Sequence, residues 1–206
     1  MIKKLITIQH CQSEQHLNGM VGGATDWPLT DLGIQQANKI GLALSKQLNS
    51  EFTMVSSDLI RARQTAEIVA RYLNITPRYN NKLREQSFGS ATGKSKAWFQ
   101  SNSLPCPKGL PLIYHKLLSD AESGEEVYFR VSKAIEEMEE DNDQNVIVVG
   151  HGGSIAMLVA AWLKMPLNIL QQTMFAGSAG GVSFMTLRDD NVRVLNQWNN
   201  QSYIQP

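Results

Sequence analysis

The chain has 206 residues, of which 42% are hydrophobic and 18% are charged, and its formal net charge is +0. This balance is typical of a globular protein and excludes a broad basic surface that would attract nucleic acid. No apolar stretch is long enough to cross a bilayer, and the N-terminal apolar run is too short for a signal peptide. We therefore expect a cytoplasmic protein with no nucleic-acid or membrane partner, and we assign no oligomeric state.

Hydrophobic periodicity predicts alternating strands and helices. A helix start signal lies at Thr30, and Ser56 or Ser57 is expected to cap the second helix. The residues Asp189–Asn191 are typical of a hairpin turn. The predicted elements in chain order are strand 2–9, helix 30–48, strand 52–55, a helix ending near 73, helix 125–140, strand 145–150, helix 153–163, and strands 181–187 and 192–198.

The order of these elements indicates an α/β fold. We predict a three-layer sandwich, with a largely parallel sheet and helices on both of its faces. Residues 88 to about 120 mix Gly, Ser and Pro with aromatic side chains and show no clear period. We expect this segment to form a small lid or insertion on a single domain spanning 1–206.

Two of the four histidines, His10 and His151, directly follow two strongly apolar strands. Ligands bind outside the carboxyl ends of strands in an open α/β sheet, so these residues are expected to face one pocket. Arg61 lies in the first turn of the second predicted helix and can project from the same edge. Backbone N–H groups at the helix start Gly152–Ser154 favour an anion. Together these groups suit a phosphate.

The same residues predict a covalent mechanism. A neutral imidazole can attack phosphorus and form a phosphohistidine, which divides one hydrolysis into two easier displacements. The first displacement needs an acid for the departing oxygen, and Glu85 in the segment Leu83–Gly89 is the candidate. The same carboxylate can then activate water for the second displacement.

Six segments carry a resemblance to a known family. They are Gln9–Glu14, Asp26–Gly33, Ser57–Ala66, Leu83–Gly89, Glu122–Val127 with Arg130, and Gly150–Gly153. In this order and over nearly the whole chain they resemble the histidine phosphatase superfamily, the phosphoglycerate mutase-like proteins. The resemblance implies a phosphatase without metal or cofactor that acts on a small phosphorylated metabolite.

The resemblance also implies a role for individual residues. His10 would be the nucleophile and Glu85 the proton donor, and Arg61 and His151 would hold the phosphoryl oxygens. The remaining substrate contacts that it implies are Gln9, Ser13, His16 and Gly152.

Gln9 departs from the family pattern, which has an arginine at this position to clamp the phosphate. A glutamine amide offers two donors and no charge. Removing an electrostatic donor of this kind lowers turnover by about 10²–10³-fold. We therefore expect a weakened enzyme.

Two other functions are compatible with this pocket. A phosphoglycerate mutase must retain a bisphosphate while it turns around, and family mutases tend to carry a longer, more basic insertion after the proton donor. Here the segment Gln86–Glu122 is short and holds only four lysines, which favours the phosphatase. The third candidate is a phospho-ligand binding protein with impaired catalysis, marked by Gln9, although a pure binder has no need of the acid Glu85.

Overall fold

The computed structural model describes residues 1–205 and contains a six-stranded sheet. The strands are β1 (Lys4–Gln9), β2 (Thr53–Ser56), β3 (Pro77–Tyr79), β4 (Asn145–Gly150), β5 (Val182–Leu187) and β6 (Arg193–Asn200). Their order across the sheet is β3-β2-β4-β1-β5-β6. The first four in this order pair in parallel, while β5 and β6 are antiparallel. The largely parallel sheet predicted from the sequence is confirmed.

Helices cover both faces of this sheet. They are α1 (Asp31–Gln47), α2 (Ile60–Leu73), α3 (Lys96–Asn102), α4 (Gly124–Glu140), α5 (Gly152–Trp162) and α6 (Leu167–Leu170). Successive side chains of a strand point to opposite faces. Accordingly, Leu5 of β1 packs in the cluster with α4 and α5, whereas Ile6 and Ile8 pack in the cluster with α1 and α2. The result is the expected three-layer sandwich.

The starts of α1 and α2 differ in how they are capped. As predicted, Thr30 caps α1 and accepts a hydrogen bond from the first turn through its hydroxyl. The expected serine cap of α2 is wrong, because the cap residue is Leu59. The first N–H of α2, that of Ile60, instead donates to Asp26 Oδ1 at 2.6 Å. The hydroxyl of Ser57 is thereby available to the site described below.

The segment 88–120 contains α3 and two turns of 3-10 helix, Gly89–Ala91 and Leu112–Tyr114. Its aromatic side chains, among them Phe99, form a small cluster with Leu118 and with Val21 from the loop after β1. The backbone of Val21 also bonds to this segment at Lys94, at 2.8 Å. The segment therefore packs against the loop that precedes α1.

None of the helices within residues 1–205 combines the length and the apolar character that a bilayer span requires.

Candidate active site

The pairing of β1 with β4 brings the two histidines together. Gln9 lies opposite Gly150 in this parallel pair, so the next residues, His10 and His151, leave the sheet side by side. The N–H of His10 donates to the carbonyl of Gly150 at 2.9 Å, and the centroids of the two imidazole rings are 5.1 Å apart. Both histidines are buried. The strand-end prediction thus holds for this pair.

Arg61 supplies the positive charge next to them. Its side chain is fully buried in the first turn of α2, and its partners are two backbone carbonyls and an imidazole. The terminal nitrogens donate to Thr25 O at 2.5 Å and Gly23 O at 2.8 Å, and Nε donates to His10 Nε2 at 3.2 Å. Burial lowers the pKa of Arg61 to about 10, against the opposing effect of Glu85, so the guanidinium is charged at neutral pH. A buried cation held by neutral groups favours an anion.

The hydrogen bonds of His10 define which ring nitrogen is reactive. Nδ1 lies 2.8 Å from the carbonyl oxygen of Cys11, which can only accept, so we assign the proton to Nδ1. Nε2 then carries the lone pair that accepts from Arg61. Burial, and next the charge of Arg61, hold the pKa of His10 well below its usual 6.5. The imidazole is therefore neutral and has its nucleophilic nitrogen beside the guanidinium.

His151 is oriented by Ser57. Ser57 follows β2 as His151 follows β4, and its Oγ lies 2.8 Å from His151 Nε2. Because Ser57 Oγ accepts from the N–H of Leu59 at 3.3 Å, its own proton can be given to Nε2, which leaves an N–H at Nδ1. This Nδ1 is buried and has no protein partner within residues 1–205. An unpaired buried donor costs about 1–3 kcal/mol, which a ligand oxygen would offset.

Burial also determines the protonation of His151. Desolvation is the main cause that holds its pKa well below 6.5, and the charge of Arg61 acts in the same direction. At neutral pH the ring is therefore a neutral donor beside the nucleophile.

Glu85 lies at the N-terminus of α5. Its carboxylate oxygens accept from the N–H groups of Gly153 at 3.2 Å, Ser154 at 3.1 Å and Gln86 at 2.9 Å. The helix start that the sequence marked as an anion site therefore receives the chain's own Glu85 carboxyl group. The partial positive charge of a helix N-terminus favours any carboxylate that reaches it.

The side chain of Gln9 packs between the backbones of Gly152 and Gly177. A β-carbon added at Gly152 would be 3.4 Å from Gln9 Nε2, and one added at Gly177 would be 2.7 Å from Gln9 Oε1. The second distance is shorter than real β-carbons approach other atoms, so a side chain at position 177 would require the flexible end of Gln9 to move. Gln9 is half-buried there, next to the start of α5.

Ser13 and His16 form the outer wall of the site. Ser13 is buried, and its N–H donates to His16 Nδ1 at 3.0 Å. The imidazole of His16 lies over His10, with 5.4 Å between the ring centroids. Partial burial lowers the pKa of His16. The residues that the sequence proposed therefore lie at one edge of the sheet.

Sequence reasoning missed two contributors. Ser57 was interpreted as a helix cap, although its place after β2 was a signal that it could meet His151. Arg130 was noted only as part of a segment that carries the resemblance, yet it contacts the backbone at Glu85. In the part of the chain that the structure describes, 1–205, the His, Cys, Asp and Glu side chains form no cluster suited to a metal ion.

Comparisons with known proteins find relatives among phosphatases and phosphoglycerate mutases. The glucosyl-3-phosphoglycerate phosphatase of Mycobacterium tuberculosis (strain H37Rv) is 28% identical over 178 residues, covering 80% of this chain and 77% of that protein. The 2,3-bisphosphoglycerate-dependent phosphoglycerate mutase of Allorhizobium ampelinum is 28% identical over 183 residues, covering 80% and 82% respectively.

A solved structure of a mycobacterial glucosyl-3-phosphoglycerate phosphatase in complex with VO3 has the same fold. Its TM-score is 0.83 at 24% identity, with 97% of this chain and 100% of that chain covered. The sequence of this chain matches the family model of the histidine phosphatase superfamily (branch 1) over residues 5–201. This chain belongs to the histidine phosphatase superfamily, branch 1.

Proposed function

We propose that this protein is a metal-independent phosphatase that hydrolyses small phosphomonoesters through a phosphohistidine at His10. The contact of His10 Nε2 with Arg61 Nε at 3.2 Å supports this function most directly. A neutral, buried nucleophile beside a buried permanent cation is suited to a dianionic phosphoryl group. On binding, a phosphoryl oxygen would accept the N–H of Arg61 and free the lone pair of Nε2 for attack.

The reaction then proceeds in two balanced displacements. In the first, His10 Nε2 forms a bond to phosphorus while the bond to the leaving oxygen breaks, and Glu85 in its protonated form gives that oxygen its proton. Arg61 and the Nδ1–H of His151 stabilise the charge on the phosphoryl oxygens. In the second, Glu85 takes a proton from water as the water oxygen attacks phosphorus and the P–N bond breaks. Inorganic phosphate leaves and His10 regains its lone pair.

The other proposed substrate contacts are Gln9, Ser13, His16 and Gly152. Gln9 takes the place of an arginine of the family pattern and brings hydrogen-bond donors without charge. Arg61 is then the permanent cation nearest the nucleophile, while His16 carries a charge only at low pH. We propose that turnover is reduced for this reason.

Ion pairing favours a phosphatase over a mutase. A mutase needs basic groups for a second phosphate near the acid. Arg84, next to Glu85, is instead held by Asp58 through two contacts of 2.6 and 2.7 Å. Lys116 in the following segment pairs with Glu126 at 2.7 Å. The relatives named for phosphoglycerate and its glucosyl derivative suggest a small phosphorylated metabolite as substrate.

We further propose that residues 88–120 act as a lid on a single domain. The segment packs against Val21, close in sequence to the carbonyls of Gly23 and Thr25 that hold Arg61. Cytoplasmic location is part of the same proposal, and it fits the free thiols of Cys11 and Cys106.

Trapping the covalent intermediate tests the proposed mechanism. The protein is mixed with a phosphomonoester labelled in its phosphoryl group, with chelator present, and quenched in alkali, in which phosphohistidine survives. We expect label on the unmodified protein and on His16→Ala, the control for a neighbouring histidine, and none on His10→Ala. Label that persists on His10→Ala would contradict the mechanism.

Two further outcomes would favour the other functions. If the unmodified protein binds phosphomonoesters but neither hydrolyses them nor takes up label, it is a phospho-ligand binding protein. If label transfer requires a bisphosphate and returns to a monophosphate acceptor rather than to water, it is a mutase.

A further inference from the structure

The segment that carries Glu85 has little regular structure of its own. Apart from one 3-10 turn, Asn81–Leu83, its backbone depends on contacts with the rest of the chain. Proton transfer requires donor and acceptor atoms within hydrogen-bond reach, so a displacement of about 1 Å is costly. The contacts that hold this backbone therefore bear directly on the acid.

Arg130 of α4 makes three of these contacts. One terminal nitrogen donates to Lys82 O at 2.7 Å and to Arg84 O at 2.9 Å. The other lies 3.4 Å from Glu85 O. A single side chain thus contacts two carbonyls that precede the acid and that of the acid itself.

Glu122 completes the arrangement. Its two carboxylate oxygens accept from Nε and a terminal nitrogen of Arg130, both at 2.8 Å. One of these oxygens also accepts from the N–H of Ser87 at 2.8 Å, and the side chain of Gln86 donates to Glu122 O at 2.7 Å. The pair is mostly buried, with side-chain exposures of 20% for Arg130 and 24% for Glu122.

We propose that the Glu122–Arg130 pair is a positioning device for the acid, which fixes the backbone on both sides of Glu85 so that its carboxyl reaches the leaving oxygen. The proposal rests on the proposed function, in which Glu85 is the proton donor. Neither side chain touches the reacting atoms, and both act through Glu85.

The guanidinium is essential to this device. Its five N–H groups in one plane can serve a carboxylate on one side and carbonyls on the other. A lysine keeps the charge but has three donors on a single nitrogen, which cannot reach all of these acceptors together. Arg130→Lys therefore separates geometry from charge, and charge matters here because Arg130 also lowers the pKa of His151.

The leaving group distinguishes a positioning role from a purely structural one. Nitrophenolate departs with little help from an acid, whereas the more basic phenolate needs a proton. A misplaced Glu85 would therefore slow the hydrolysis of phenyl phosphate and leave that of p-nitrophenyl phosphate nearly unchanged. Loss of folded protein would slow both substrates equally.

The experiment compares kcat/KM for these two substrates in the full chain. This constant reports steps only through release of the phenol, so the second displacement does not enter it. We expect Arg130→Lys to lower the value for phenyl phosphate by about 10–100-fold and that for p-nitrophenyl phosphate by less than about threefold. Glu122→Gln, a second route to the same disruption, should give the same selective loss.

Arg78→Lys is the matched control. Arg78 joins β3 to the region after α4 by ion pairs with Asp141 and Asp143, and so has a comparable structural role away from Glu85. We expect Arg78→Lys to change kcat/KM for both substrates by the same factor. Equal losses for both substrates in Arg130→Lys and Glu122→Gln, or no loss in either variant, would overturn the positioning role.

Glu85→Gln separates the two levels of the proposal. If Glu85→Gln lowers kcat/KM selectively for phenyl phosphate while the Arg130 and Glu122 variants do not, the positioning role is refuted and the role of Glu85 as the acid is supported. If Glu85→Gln shows no selectivity, the role of Glu85 in the proposed function fails, and the positioning role fails with it.

Discussion

Removing the hydroxyl of Ser57 should weaken the site while the chain still folds. The change Ser57→Ala deletes two buried contacts, one to His151 Nε2 at 2.8 Å and one to the N–H of Leu59 at 3.3 Å. His151 is fully buried and its Nδ1 already lacks a protein partner within 1–205, so both ring nitrogens would be unpaired before substrate binds. Leaving a buried polar group unsatisfied costs about 1–3 kcal/mol.

This cost appears in both stability and rate. We expect Ser57→Ala to lower the free energy of unfolding in urea by about 1–3 kcal/mol. An imidazole that is no longer fixed also loses its alignment with the phosphoryl oxygen, and we expect kcat/KM for p-nitrophenyl phosphate to fall by about 10–100-fold.

Ser56→Ala is the control because Ser56 is an adjacent, equally buried serine. Its Oγ donates to the carbonyl of Ser57 at 2.9 Å. We expect this variant to lose about 1 kcal/mol of stability and to keep kcat/KM within about threefold. Equal losses of kcat/KM in the two variants, or full activity in Ser57→Ala, would refute the role assigned to Ser57.

Three further predictions concern charge and close packing. Because the pKa values of His10 and His151 are held well below 6.5, the unfolded chain binds more protons in acid. Urea unfolding should therefore show stability falling below about pH 6.5, by up to about 1.4 kcal/mol per pH unit for each histidine, and a flat profile from pH 7.5 to about 5 would contradict this. Gln9→Arg should raise kcat/KM for p-nitrophenyl phosphate at least about tenfold by adding a charged donor, and an unchanged or lower value would count against the proposed effect of Gln9. Gly177→Ala should push aside the flexible end of the Gln9 side chain at a small cost in stability, and Gln9→Ala should relieve about 0.5 kcal/mol of that loss in a double-mutant cycle; additive losses would exclude the contact.

Local sequence patterns were sufficient for much of the fold. The apolar runs that become β1 and β4 are buried on both sides, which produces continuous hydrophobic segments. Position after such a strand was enough to bring His10 and His151 to one edge. α3 was not predicted because it is a short helix of seven residues within a segment rich in turn formers.

Two contacts between distant segments were not predicted from these patterns. A serine that precedes a helix is typically predicted to be its N-cap. The pairing of β2 with β4 instead places Ser57 next to His151. In the same way, the helix start at Gly153 attracts an anion, but the sequence does not say that Glu85 arrives there from another segment. Both depend on tertiary packing, which local propensity does not encode.

The central position of β1 has a consequence for how the chain acquires its activity. The two neighbours of β1 in the sheet are β4 and β5, which come at least 135 residues later in the sequence. During synthesis, more than half of the chain is therefore made after β1 and before either of its partner strands. Until then Ile6 and Ile8 have no neighbouring strand. Such late, non-local pairing slows folding and exposes aggregation-prone strands. A phosphatase assay on a nascent or truncated chain would thus report completion of the sheet as much as chemistry.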